Sequence, residues 1–336
     1  ASQTYRIRLD EHVGQATFSV GAVVYPEHAD NAKDLLVLAD SALLFSKESG
    51  RACVTWPDPE VTQAIQRRNL LAIKLREAIR DRMITPYYQP EVDLRSGTIT
   101  GFETLARWHD AELGDISPAE FVPIAEGQGL IDAITEVMLE KLMVDLPVIR
   151  AQFVDAKVAF NASPRSLGDR KIHSLLDTHL DTARPGPSGL ILEVTESGLM
   201  ESLADATAQL ESIIALGVQI AIDDFGTGYS SLARLAHLPI HKLKIDRSFV
   251  DALDNEDNIK VVSSIMALAR TLELDVVAEG VESKFQRDML LAVGCHKAQG
   301  FLFARPMPLA EVLALPGHLP IGLAGAGGVP PEDKKN

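Results

Sequence analysis

QIAIDDFG, residues 219–226, and LKIDRS, residues 243–248, decide the fold. Each is a short apolar run that ends in an acid and gives way to turn-forming or polar residues. Alternate side chains of a strand face opposite ways, so Lys242, Lys244 and Asp246 share one face while Leu243 and Ile245 take the other. Ala221 and Asp223 stand in the same way against Ile220 and Ile222. Five further runs repeat the form: FETLARW at Glu103, KVAFNAS at Asn161, LILEVTES at Glu193, LDVVAEG at Glu279 and CHKAQG at Gln299. In a β/α barrel the carboxyl ends of parallel strands meet on one rim, and the apolar strand bodies form the core. An α/β fold, a TIM-like (β/α)8 barrel with polar strand ends gathered into an active site, is therefore predicted.

A single acid after a strand reads as a solvated loop residue; seven acidic or amide residues at the same strand position do not. At neutral pH Glu103, Glu193, Asp223, Asp224, Asp246 and Glu279 bring six negative charges to this rim. Lys244 and Arg107 bring one positive charge each, which leaves four uncompensated. Crowded carboxylates stay ionised only beside cations, and oxygen-only ligation by Asp, Glu and Asn selects hard ions such as Mg²⁺ or Mn²⁺. Two divalent cations balance the charge, and such a pair about 3.5–4 Å apart is the usual clamp for phosphodiester hydrolysis. A buried lysine needs an anionic partner, so Lys244 is expected among carboxylates or against a phosphate. The nine histidines show no paired spacing on a strand end, which disfavours a zinc enzyme.

YYQPEVDL at 87–94 and GFETLARW at 101–108 resemble the opening of EAL domains, the phosphodiesterases that hydrolyse the bacterial messenger cyclic di-GMP. SPAEFVPIAEGQGLI at 117–131, NAS at Asn161, EVTE with Glu193 and Glu196, DDFGTGYSSL at 223–232, LKIDRSFV at 243–250, AEGVE at 278–282 and QGFLFARPM at 299–307 follow in the family's order. The resemblance implies one metal at Glu103, Asn161, Glu193 and Asp223, and a second at Asp223, Asp224 and Glu279. It implies two Mg²⁺ or Mn²⁺ with Ca²⁺ inhibitory, a water nucleophile, and pGpG as product. Lys244 orients the water or neutralises the phosphate; Glu103, Lys244, Glu279 and Asp246 are the catalytic candidates, with the proton acceptor left open among the last three. Gln89, Leu105, Arg107, Asp246, Glu282, Gln299 and Arg305 match substrate-contacting positions, and Phe301 offers an aromatic face for a base.

The departures are few. Thr104 replaces alanine in the name-giving tripeptide but has the opposite strand parity from Glu103. Glu91 stands where the family usually has an aliphatic residue, and the sequence offers no account of it beyond its nearness to Gln89. Gly226 and Gly228 follow Asp223-Asp224 at once, so both aspartates reach metal where the strand ends and the backbone turns. The loop that follows resembles the family's segment coupling dimer contacts to metal binding, which implies a homodimer through barrel helices near it. Glu196 matches that loop's anchor; alternatively it is an acid near the start of the helix that follows about Ser202.

Residues 17–54 resemble the last part of a GGDEF diguanylate cyclase domain, with its catalytic loop absent from the chain. Residues 1–57 are thus expected to be a C-terminal GGDEF-like fragment, 58–82 a connecting helix, 83–316 the barrel, and 317–336 a flexible tail rich in Gly and Pro. The chain has 336 residues, 46% of them hydrophobic, and a net charge of −15, which makes it a poor general binder of DNA. It has no spanning apolar stretch, and Cys53 and Cys295 are expected as free thiols in a reducing cytoplasm, if the piece belongs to a larger membrane-tethered protein or not. A non-catalytic cyclic di-GMP receptor is the other reading, but such receptors typically lose several carboxylates and here the set is complete.

Overall fold

The computed structural model describes residues 4–9, 12–48, 52–57, 59–163, 167, 171–180, 189–196, 199, 203–226, 235 and 238–321. The chain divides into two compact units, Ala1–Arg80 with Ala119–Gln128, and Asp81–Pro118 with Gly129–Asn336.

In the first unit β1 (Thr4–Leu9) and β2 (His12–Thr17) form an antiparallel hairpin, and β3 (Val20–Gly21) pairs in parallel with β4 (Val54–Thr55). Helix α1 (Ala32–Glu48) starts where Asn31 Oδ1 accepts from Asp34 N (2.9 Å). It lies so close to β3 that a Cβ on Gly21 would fall 2.1 Å from Ala39 O, so only glycine fits there. Helices α2 (Pro59–Arg80) and α3 (Pro118–Gln128) are joined by the Arg67–Glu120 ion pair (2.5 Å).

The second unit is a closed eight-stranded barrel. Its strands are β5 (Ile84–Asp93), β6 (Ile99–Asp110), β8 (Lys157–Asn161), β9 (Leu190–Thr195), β10 (Gln219–Phe225), β11 (Lys242–Ile245), β12 (Asp275–Ala278) and β13 (Lys297–Ala298). They run in the order β5-β13-β12-β11-β10-β9-β8-β6, a β5–β6 pairing closes the ring, and β7 (Gly114–Ile116) extends β6 outside it. The helices α4 (Ile131–Gln152), α5 (Lys171–Leu180), α6 (Leu203–Ala215), α8 (Glu256–Thr271) and α9 (Lys284–Ala292) follow strands in the βα pattern, with short α7 (Arg247–Asp251) and α10 (Leu309–Val312) between and after them.

The strand parities hold. Val158, Phe160, Leu192, Ile220, Ile222, Leu243 and Ile245 join the helices in one large core, while Ala159, Ile191 and Ala221 form a separate cluster inside the barrel.

Three expectations are corrected. The first strand is not parallel to the others: β5 runs antiparallel to both β6 and β13. Its link to β6 is a tight hairpin in which Asp93 Oδ1 accepts from Arg95 N (3.0 Å) and Ser96 N (2.8 Å), and only a crossover connection would permit parallel pairing. Glu103 is mid-strand rather than at a strand end, because β6 continues past it to pair with β5 and β7. The expected tail from 317 onward begins with packed residues: Gly317 O accepts from Ile99 N (3.1 Å), Leu319 N donates to Gly97 O (2.8 Å), and Leu319 and Ile321 are buried. The remainder of that tail, and residues 227–234 of the loop after Asp223, lie outside the described residues.

Candidate functional site

β11 puts Lys244 at the middle of the barrel mouth with no exposed surface. Its ammonium lies 2.6 Å from Glu279, 2.9 Å from Glu193, 3.3 Å from Asp223 and 3.4 Å from Glu103. Burial would lower its pKa, but the four carboxylates outweigh burial and hold it well above the ordinary lysine value. The carboxylates fare differently from one another. Burial drives Glu193 well above the usual range against the pull of Lys244, and drives Glu279 up to about 8. Glu103 is also buried, but Lys244 and the amides of Gln299 and Asn161 bring it below its ordinary value. Asp224 is raised by burial and by Asp223.

The acids form two groups that share Asp223: Glu103, Glu193 and Asp223, and Asp223, Asp224 and Glu279, the donor oxygens of each within 4.8 Å of one another. Neighbouring aspartates of a regular strand face opposite ways, and β10 reaches beyond both of them to Phe225. The strand does not end at Asp224, as its sequence suggests; instead the register with β11 shifts between Ile222 and Phe225 and Asp224 adopts φ 54°, which turns both carboxylates to one side. Asn161 donates from Nδ2 to Glu103 Oε1 (3.0 Å), and Gln299 Nε2 donates to Glu103 Oε2 (2.5 Å) and Glu279 Oε1 (3.2 Å), so one amide links the two groups.

These residues fit divalent cations. Glu193 Oε1 is buried with no hydrogen-bond partner, an expensive state for a carboxylate oxygen that a cation would relieve. The donors are all oxygen, the preference of hard ions.

Other candidates lie around this centre. Glu196 is buried and its Oε2 accepts from Gly226 N (2.8 Å), at the start of the loop after Asp223. Gln89 donates from Nε2 to Ala304 O (3.1 Å). Arg305 stacks over the half-exposed Phe301 ring at 4.2 Å, and Glu282 pairs with Arg247 (2.9 Å). Leu105 sits opposite Tyr87 in the β5–β6 ladder, and Arg107, whose pKa burial lowers, lies 5.7 Å from the Tyr87 ring. Asp246 is not drawn into either acidic group: it caps α7, accepting from Ser248 N (3.0 Å) and Ser248 Oγ. Sequence reasoning missed two features. One is the Gln299 bridge. The other is a buried ion pair between Glu91 and Lys242 (2.7 Å), for which the signal was present in Lys242 sharing a face with Lys244.

Fold and site together define a class: a closed α/β barrel whose mouth holds carboxylates arranged for divalent cations. The chain belongs to the EAL domain family, whose model matches residues 73–306. It is 38% identical over 320 residues to the bifunctional diguanylate cyclase/cyclic di-GMP phosphodiesterase MucR of Pseudomonas aeruginosa, covering 93% of this chain and 46% of that protein. To the cyclic di-GMP phosphodiesterase PdeR of Escherichia coli it is 34% identical over 308 residues, covering 90% of this chain and 46% of that protein. It thus spans about half the length of these relatives. The solved c-di-GMP complex of the PaMucR phosphodiesterase is 40% identical, with a TM-score of 0.70 over 72% of this chain and 99% of that one. Among the described residues no helix is long and apolar enough to cross a membrane.

Proposed function

We propose that this barrel is a metal-dependent, cyclic-guanylate-specific phosphodiesterase that opens cyclic di-GMP to linear pGpG. The observation that carries the reading is the pair of acidic groups sharing Asp223, with one lysine set against four carboxylates. Glu103, Asn161, Glu193 and Asp223 would hold one Mg²⁺ or Mn²⁺, and Asp223, Asp224 and Glu279 a second. When bound, such ions polarise the phosphodiester and lower the pKa of water toward neutrality.

The protein's own residues do the rest. Lys244, held protonated, acts as a fixed cation beside the phosphate and not as the proton acceptor. Gln299 keeps Glu103 and Glu279 at a set separation. The Arg305–Phe301 stack offers a flat surface for a guanine base, and Gln89, Leu105, Arg107 and Glu282 stand where the family resemblance puts substrate contacts. In the reaction one phosphorus–oxygen bond of the ring breaks, water gives its oxygen to phosphorus, and its protons leave to the departing oxygen and to solvent. The reading extends to a homodimer through the barrel helices near the loop after Asp223, to a cytoplasmic setting, and to residues 1–57 as the end of a GGDEF-like domain.

The experiment is incubation with cyclic di-GMP and Mg²⁺, followed chromatographically. The expected result is pGpG with Mg²⁺ or Mn²⁺, none with EDTA, and binding without turnover in Ca²⁺, which is larger and acidifies water less. Tight binding of cyclic di-GMP with no pGpG under any metal would replace the enzyme by a receptor.

A further inference from the structure

Glu91 has no role in the reaction just described, and its surroundings are unusual. Glu91 Oε1 and Oε2 accept from Lys242 Nζ at 2.9 and 2.7 Å, and both side chains are almost completely buried, 3% and 4% exposed. The two residues stand on strands separated in the ring by β13 and β12, so the pair is a chord across the barrel interior rather than a contact between neighbours. Space for it is provided locally. The β5–β6 register shifts between Glu91 and Val92, and Gly101, opposite Glu91, leaves room that a Cβ would take, lying 2.7 Å from Lys157 O and 3.1 Å from Glu91 Oε2.

Each end of the chord is two residues along a strand face from the site. Glu91 precedes the hairpin on the same face as Gln89, and Gln89 is paired directly with Glu103. Lys242 shares its face with Lys244, the cation of the acidic cluster. Two residues of strand rise about 6.6 Å, so the chord forms the layer beneath the carboxylates. The seam it spans is short, since β13 pairs with β5 through two residues, Lys297 opposite Asp93 and Ala298 opposite Val92.

We propose, building on the phosphodiesterase reading, that Glu91 and Lys242 are positioning residues. Their ion pair sets the height of the closing strand against β11, and so fixes the separation of Gln89 and Glu103 on one wall from Lys244 on the other. A buried pair of this kind contributes little net stability over well-packed apolar residues, so stability alone does not account for it.

Three variants test this. Glu91→Gln keeps the shape and loses the charge; the double variant E91L/K242M replaces the chord with apolar side chains and keeps the fold even where the single variant does not. Each is compared with the parent for melting temperature, for kcat and KM on cyclic di-GMP, and for Mn²⁺ affinity by calorimetry without nucleotide. The expected result for the double variant is a melting temperature near the parent's, with Mn²⁺ affinity about tenfold weaker, the size of effect seen when the support of a metal ligand is lost, and kcat at least fivefold lower. The swapped pair E91K/K242E, which rebuilds the chord, recovers part of both. A double variant that melts like the parent and keeps its Mn²⁺ affinity and kcat overturns the proposal and leaves the pair structural. Should the parent itself make no pGpG, the phosphodiesterase reading fails on its own, and Mn²⁺ affinity still decides whether the chord positions Glu103.

Discussion

Lys242 and Lys244 stand two residues apart on one face of β11, both buried, yet in opposite electrostatic circumstances. Lys242 meets one carboxylate, Glu91. Lys244 meets four. The first arrangement is a one-to-one ion pair, with Lys157 as a further charge nearby. The second leaves an excess of negative charge, met in the absence of cations by proton uptake, as the raised pKa values of Glu193 and Glu279 indicate. A buried charge alone therefore does not mark a site. An excess of buried negative charge that an added cation can neutralise does.

The largest effect that would break this comparison lies in the acidic layer. Glu103→Ala is expected to reduce pGpG formation by roughly two or more orders of magnitude, since it removes a ligand used in the reaction. Its melting temperature in EDTA should fall, because Glu103 is held below its ordinary pKa by Lys244 and accepts from Asn161 and Gln299, contacts that alanine loses. Near-parental turnover at saturating Mg²⁺ would take Glu103 out of the site.

Next come the two lysines themselves. Lys242→Met and Lys244→Met should each destabilise the metal-free protein by about 3–5 kcal/mol, because each strands buried carboxylates. Mg²⁺ should recover most of the loss for Lys244→Met, where cations can take over the role of the ammonium, and none of it for Lys242→Met. Equal recovery by chemical denaturation with and without Mg²⁺ would erase the distinction between the layers.

A smaller effect is the pH dependence of the metal-free fold. Glu279 has a folded pKa of about 8 against an ordinary 4.5, so it stabilises the protein fully at low pH and loses that contribution as pH rises through about 8. Melting temperature in EDTA should fall across this window, and Glu279→Gln should flatten the fall. A flat parental profile would show that the crowding is relieved in some other way.

The smallest concerns Glu196, whose carboxylate holds Gly226 N at 2.8 Å. Glu196→Ala should raise the Mg²⁺ needed for half-maximal activity about tenfold with a modest change in melting. A stability loss of about 0.5–2 kcal/mol with unchanged Mg²⁺ titration would instead assign it to the following helix end.

The barrel was legible because its inward and outward faces alternate residue by residue: Ala221 and Lys244 against Ile222 and Leu243 could be sorted by parity alone. Most of the acids were legible because they recur where apolar runs stop, whereas Glu103 stands mid-strand and was legible from the order of the EAL motifs. Glu91 was not, because a lone acid inside an apolar strand has no periodic signature and its partner lies 151 positions away. Nor was the direction of β5, since strand pattern is the same read forward or backward, and only the tight Asp93–Thr98 turn fixes it as antiparallel.

The sequence by itself determined which residue types gather at the barrel mouth, their excess of negative charge and their kinship with EAL domains, because alternation and motif order are local properties of a chain. Tertiary structure alone decided how charge is apportioned between layers. Closure of the ring brings Glu91 across to Lys242, a left-handed Asp224 turns two adjacent aspartates to the same side, and Gln299 bridges acids from β6 and the end of β12. Each depends on distances between strands far apart in the chain, which packing sets and local pattern does not encode.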